Sequence, residues 1–332
     1  RDYSIDESRA NETRKQIKAR KATIKNLSYQ QLQGKFSNLT GKTLTSRLRS
    51  DVDFSTLSKS KQKALFDNTL NSGLHGICFS PYREHQNVED ILSESQIKER
   101  MEVVAPHTKW VRSFSCTGGN EQIPAVAKSK NLKTMVGAWI GADKEENDKE
   151  IEALIGLAKK GLVDIAVVGN EALMRGDLSE QQVLDYLSKV KSALPKIKVG
   201  YVDAYFQFIQ RPKLVEACDV ILINCYPFWE GSKIEFATAY LNEMFQATKN
   251  IASNKPVIIS ETGWPNLGDN VGKSKPTHHN AMEYFVNANR WAALEKAPLF
   301  YFSSFDESWK VHHEGDVGAR WGIWDKNENL KY

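Results

Sequence analysis

The chain has 332 residues, of which 41% are hydrophobic and 26% charged, a balance that suits a folded globular protein and excludes a disordered one. No run approaches the ~20 apolar residues that a membrane helix needs, so no membrane span is expected. The net charge of +4 is unevenly placed: the first 70 residues hold 15 Lys/Arg against 7 Asp/Glu, and the remainder 30 against 34. The basic character therefore lies in the leading segment, read as a solvated helical face with no nucleic-acid partner.

Residues 1–72 are expected to form a helical N-terminal extension that packs on the domain that follows. Within it, Lys59–Asn71 sets Ala64, Leu65 and Leu70 at helical spacing. From residue 73 to the end, short apolar runs alternate with amphipathic stretches. In chain order the runs are Gly76–Ser80, Trp110–Phe114, Lys133–Trp139, Ile165–Gly169, Lys198–Tyr201, Val220–Asn224, Pro256–Ser260 and Leu299–Phe305. Each is short and rich in Val, Ile, Phe or Tyr, as expected of strands buried on both faces. The clearest helices between them are Asn87–Glu102, Glu121–Lys130, Glu145–Lys160, Ser179–Ala193, Ile234–Asn250 and His279–Glu295. Ser179 and Gln182 make a capping-box signature at the start of the fourth. Eight strands alternating with helices over roughly 250 residues predict a (β/α)₈ barrel, an α/β fold, over residues 73–332. A doubly wound open sheet is the competing arrangement. The tail after the eighth run is broken by Gly315, Gly318 and Gly322 and holds no obvious full eighth helix.

Other chemistries find little support. Cys78, Cys116, Cys218 and Cys225 include no CxxC pair, and Cys218 and Cys225 flank one strand at a span of ~20 Å, too far for a disulfide, so all four read as small buried hydrophobes. His278–His279 and His312–His313 are adjacent pairs whose side chains point opposite ways in an extended segment, so no metal is expected. There is no Gly-x-Ser-x-Gly elbow, and the glycines do not match a nucleotide loop. No basic-then-apolar leader opens the chain, so the numbering is expected to begin after processing or at a boundary cut within a longer chain.

Parallel barrels carry their working residues at the C-terminal ends of the strands. The fourth run, IAVVGNE, ends on Asn170 and Glu171, and the seventh, PVIISETGWP, reaches Glu261 and then Trp264. The eighth leads into Asp306, Glu307, Trp309 and Lys310, and the sixth into Asn224, Tyr226, Phe228 and Trp229. Two carboxyl groups delivered to one rim by facing strands are the requirement for glycosidic bond cleavage. A separation of ~5 Å means retention through a covalent intermediate, and ~7–9 Å means inversion. Like charges so close raise one pKa, which keeps an acid protonated near neutral pH. Asn170 is placed to meet a sugar hydroxyl. Phe79, Tyr82, Trp139, Tyr205, Tyr226, Phe228, Trp229, Trp264, Trp309 and Trp321 fall at or past strand ends, where flat aromatic faces suit sugar rings.

The stretches VGNEALMRG (168–176) and ISETGWP (259–265) resemble the two catalytic signatures of glycoside hydrolase family 17, the β-1,3-glucanases. SPYR (80–83), VRSF (111–114), NCYPFW (224–229), FDESWK (305–310) and EGDVGARWGIWD (314–325) extend the resemblance over residues 74–325. The first strand, GICFSPYR, is closer to the bacterial and fungal branches than to the plant pattern. The resemblance implies Glu171 as acid/base, Glu261 as nucleophile, and supporting roles for Glu307, Lys310 and Glu314, with Lys310 beside Glu261. It implies a retaining enzyme that acts on β-1,3-glucan polysaccharide or oligosaccharide and needs no cofactor. A monomer, secreted, periplasmic or at the cell surface, is expected. A glucanosyltransferase on the same site and a non-catalytic carbohydrate-binding protein are the alternatives.

Overall fold

The computed structural model of the chain describes residues 44–332. Residues 1–43 of the expected N-terminal extension lie outside the described residues. Eight parallel strands close into one barrel in sequence order, and the eighth pairs back onto the first. The strands are β1 (Leu74–Cys78), β2 (Thr108–Ser113), β3 (Lys133–Ala138), β4 (Ile165–Asn170), β5 (Lys198–Ala204), β6 (Ile221–Asn224), β7 (Val257–Thr262) and β8 (Leu299–Tyr301). The open-sheet alternative is thereby excluded.

Two apolar cores follow from the alternation of side chains along a strand. Cys78, Met135, Ile165, Val167, Val202, Val220, Leu222, Ile258 and Phe300 fill the barrel interior. The side chains between them, such as Ala166 and Val168 on β4, face outward into the larger core shared with the helices. The plugged interior leaves chemistry to the C-terminal rim.

The helices follow the amphipathic runs, and Ser179 and Gln182 make the reciprocal capping box. One boundary differs substantially. The helix expected from Asn87 begins only at Glu94, capped by Ser93. Ahead of it, Asn87 Oδ1 accepts from Glu89 N at 2.7 Å and Asp90 Oδ2 accepts from Asn87 N at 2.7 Å. Short polar side chains here satisfy the backbone in a turn and outcompete the helix. The eighth strand also ends early, at Tyr301; beyond it Ser304 N still donates to Cys78 O of β1, while the returning tail adds its own pairing, Ser303 N donating to Trp321 O and Trp324 N to Ser304 O.

Helix Lys59–Asn71 packs on helix His278–Glu295, with the rings of Phe66 and Phe285 4.7 Å apart. The last residue closes the same seam: Tyr332 lies 4.9 Å from Phe66. Arg47 pairs with the buried Glu283, and Asn287 exchanges two hydrogen bonds with the Val52 backbone. All four cysteines are buried and unlinked.

Candidate active site

The strand ends that carry the candidate residues are those where the ladder slips. Register shifts occur between Val167 and Asn170 on β4, at Asn224 opposite Glu261 between β6 and β7, and between Ile259 and Thr262 on β7. A bulge adds a residue and re-aims the side chains that follow. Gly169 makes the first of these possible: its φ is +91°, and a Cβ there would lie 2.7 Å from the Ile140 side chain. Glu171 itself takes φ +53°, a left-handed conformation that is costly for a non-glycine residue. Its N–H still bonds to Val202 O at 2.8 Å, so the turn starts from the β-sheet itself.

These ends open into a cavity of about 1170 Å³, above the ~300–1,000 Å³ usual for a small ligand. Glu171 and Glu261 both line it, with Asn170, Asn224 and Tyr226 between them. Glu261 is 5% exposed. Arg112, from β2, pairs with its Oε1, and Tyr226 donates to its Oε2 at 2.6 Å. A cation and a hydroxyl donor on the two oxygens suit a carboxylate that carries charge.

Glu171 is held differently. A neutral amide binds its carboxyl: Asn224 Nδ2 donates to Oε1 at 2.8 Å. Ser260 Oγ donates to Asn224 Oδ1 at 2.8 Å and so fixes which way that amide points. Burial, then the charge of Glu261 and then that of Asp203, push the Glu171 carboxyl up to about 8, against the opposing pulls of Asn224 and Arg175. The two carboxyls thus meet different surroundings: a neutral amide at Glu171, a cation and a hydroxyl at Glu261. Asn170 Oδ1 accepts from Arg112 Nη2 at 2.9 Å, which ties the residue before Glu171 to the cation on Glu261.

The remaining expected residues divide between cavity and core. Phe79, Tyr82, Glu307, Trp309, Lys310 and Glu314 line the cavity. Lys310 makes its ion pair with Glu307, and the charges of Glu307, Glu314 and Glu261 hold its pKa above the usual value despite burial. The cation that pairs directly with Glu261 is Arg112. Phe228 and Trp264 are a correction: they are 0% and 1% exposed and do not line the cavity. Their rings meet edge to face at 5.2 Å, behind Trp321, and Trp264 Nε1 donates to Lys275 O at 2.9 Å. The turn after β7 folds Trp264 outward against Tyr284, 5.5 Å away. Trp264→Ala should therefore lower the unfolding free energy by about 3–5 kcal/mol, as for other buried aromatics. Denaturant unfolding would measure it, and an effect confined to substrate KM would contradict this placement.

Sequence reasoning gave no role to Arg112, Asn224, Tyr201 or Asp203. Arg112 had two legible signals, an arginine within the strand run Trp110–Phe114 and its place in the VRSF stretch of the resemblance. Among the described residues no group of three or more His, Cys, Asp or Glu is placed to hold a metal ion, and no helix is long and apolar enough to cross a membrane.

A model of the family described as BtgE/BtgC glycoside hydrolase domain matches residues 76–322. A glucan 1,3-beta-glucosidase of Arthroderma benhamiae is 29% identical over 261 residues, covering 72% of this chain and 84% of that protein. One of Saccharomyces cerevisiae is 25% identical over 265 residues, covering 72% and 85%. Among solved structures, the glycoside hydrolase family 17 beta-1,3-glucanosyltransferase from Rhizomucor miehei superposes with a TM-score of 0.71 at 29% identity, covering 79% of this chain and 96% of that one. With its closed barrel and paired rim carboxyls, the chain belongs to the BtgE/BtgC glycoside hydrolase family.

Proposed function

We propose that this protein is a retaining glycoside hydrolase that cleaves β-1,3-glucan by double displacement. The observation that carries the reading is the opposite electrostatic treatment of two carboxyls on facing strands. Glu261 attacks the anomeric carbon as the glycosidic C–O bond breaks, and the proton of Glu171 goes to the departing oxygen. Water then attacks the glycosyl-enzyme ester, Glu171 takes its proton, and Glu261 is released. The two inversions return the β-configuration. Arg112 and Tyr226 orient the nucleophile, while Ser260 and Asn224 orient the acid. Tyr226→Phe removes a hydrogen bond to a charged group, and kcat should fall about 10- to 100-fold with the protein still folded.

The substrate class is supported by the names of the relatives and by a cavity with room for several sugar rings, bordered by Tyr82, Trp139, Tyr205, Trp229 and Trp309. Export from the cell fits a polymeric cell-wall or storage substrate, and a monomer suffices because one chain supplies every group named. The second reading is transfer, in which a sugar hydroxyl replaces water at the second step; it is favoured by the likeness to the Rhizomucor miehei glucanosyltransferase. A product time course on a linear 1,3-β-glucan tests both. Shorter products alone mean hydrolysis, products longer than the starting oligosaccharides mean transfer, and no turnover of any β-glucan overturns the substrate assignment.

A further inference from the structure

Behind the acid/base turn, on the side away from the cavity, sits a carboxyl group that the mechanism above does not use. Asp203 of β5 is 0% exposed and does not line the cavity. Its Oδ1 accepts from Ala204 N at 2.8 Å, and its Oδ2 accepts from Tyr201 OH at 2.5 Å and from Met174 N at 3.4 Å. Tyr201 OH in turn accepts from Leu173 N at 2.9 Å. Leu173 and Met174 belong to the short turn Ala172–Arg175 that directly follows Glu171. Two backbone donors of that turn therefore end on the Tyr201–Asp203 pair. Glu171 is held in a left-handed conformation between the sheet on one side and this anchored turn on the other.

We propose that Asp203, with Tyr201, is a positioning residue for the acid/base Glu171: it anchors the turn that aims the Glu171 carboxyl and sets a negative charge behind it. The inference rests on Glu171 being the acid/base. The groups facing Glu171 are Glu261 from β7, the Asn224 amide from β6, Asp203 from β5 and Arg175 from its own turn. Arg175 is the cation among them, and its guanidinium is engaged by other groups: Nη1 donates to Asn170 O, Nε pairs with Asp177 at 2.7 Å, Nη2 donates to Ile140 O at 3.2 Å, and the group lies 4.5 Å over the Trp139 ring. Facing Asp203 are Glu171, Tyr201, Arg175 and the N–H groups of Ala204 and Met174. Burial raises the Asp203 carboxyl to about 6, below the value of about 8 for Glu171. Across the pH range in which Glu171 gives up its proton, Asp203 is therefore charged, and its charge favours the protonated form of Glu171.

The test compares wild type, Asp203→Asn and Tyr201→Phe by kcat/KM across pH. Two substrates are used: a laminari-oligosaccharide, and an aryl β-laminarioside whose dinitrophenolate leaves without a proton. Asp203→Asn keeps the shape and removes the charge, so the alkaline limb for the oligosaccharide should move to lower pH by about one unit. Activity on the activated substrate should be spared, because kcat/KM there reports a bond-breaking step that needs no acid. Tyr201→Phe should show the same split between substrates, and it carries the test if Asp203→Asn does not fold. Equal losses on both substrates in the folded variants, or an unmoved alkaline limb in Asp203→Asn, overturn the proposal. Glu171→Gln is measured alongside: if it leaves the wild-type alkaline limb in place, the reading of Glu171 fails, and that outcome is distinct from failure of the Asp203 inference.

Discussion

Glu261→Ala is expected to reduce turnover of a linear 1,3-β-glucan by at least about 10⁴-fold, or more than about 5 kcal/mol of transition-state stabilisation. The variant lacks the atom that forms the glycosyl ester, and Arg112 and Tyr226 are left facing a gap. Azide added with an activated aryl donor should enter that gap and attack the anomeric carbon directly. The product is then a glycosyl azide of inverted, α configuration, because one displacement has replaced two. Mass spectrometry and NMR of the product distinguish it from the β-azide that an acid/base variant would release. A Glu261→Ala protein that is fully active, or that yields β-azide, removes Glu261 from the role of nucleophile.

Glu171→Gln should separate substrates by their need for a proton. On oligosaccharides kcat/KM should fall about 10²- to 10⁴-fold, the usual contribution of a positioned general acid. On a dinitrophenyl donor it should change little. The wild-type pH profile follows from the same assignment. Burial and the charges of Glu261 and Asp203 raise the Glu171 carboxyl to about 8, so the acid stays protonated at neutral pH and activity falls as pH rises through that value. In Glu171→Gln the alkaline limb should disappear. A limb that persists unchanged would assign it to another group and remove Glu171 as the proton donor.

Arg112 shows why the two variants should behave so differently. It touches both carboxyl-bearing strands, pairing with Glu261 on β7 and donating to Asn170 Oδ1 on β4. Its guanidinium also lies 4.1 Å over the Phe114 ring. Buried cations of this kind need a partner, since an unpaired charge in the barrel would be costly. Losing Glu261 therefore strands a charge, whereas Glu171→Gln keeps the hydrogen-bonding shape around Asn224.

The eight strands were legible because apolar runs of parallel strands are local in sequence and are buried on both faces whatever surrounds them. Where boundaries moved, another local force had intervened: the Asn87 and Asp90 side chains held a turn ahead of Glu94, and the tail at Trp321–Trp324 paired with the residues after Tyr301. The positions of Glu171 and Glu261 were legible too, since a polar residue ending an apolar run must emerge at the rim.

What each carboxyl meets there was not legible. Arg112, Asn224, Ser260 and Asp203 come from β2, β6, β7 and β5, and only closure of the barrel sets them around two glutamates. The aromatic residues carry the same lesson. Tyr226, Phe228 and Trp229 are near neighbours in one loop, yet Tyr226 and Trp229 line the cavity and Phe228 lies in the core. The sequence alone determined the barrel, the rim and the two carboxyls upon it. The tertiary structure decided which partners each carboxyl meets and which aromatic rings face the cavity, because those depend on register shifts, loop paths and charges brought together from distant parts of the chain.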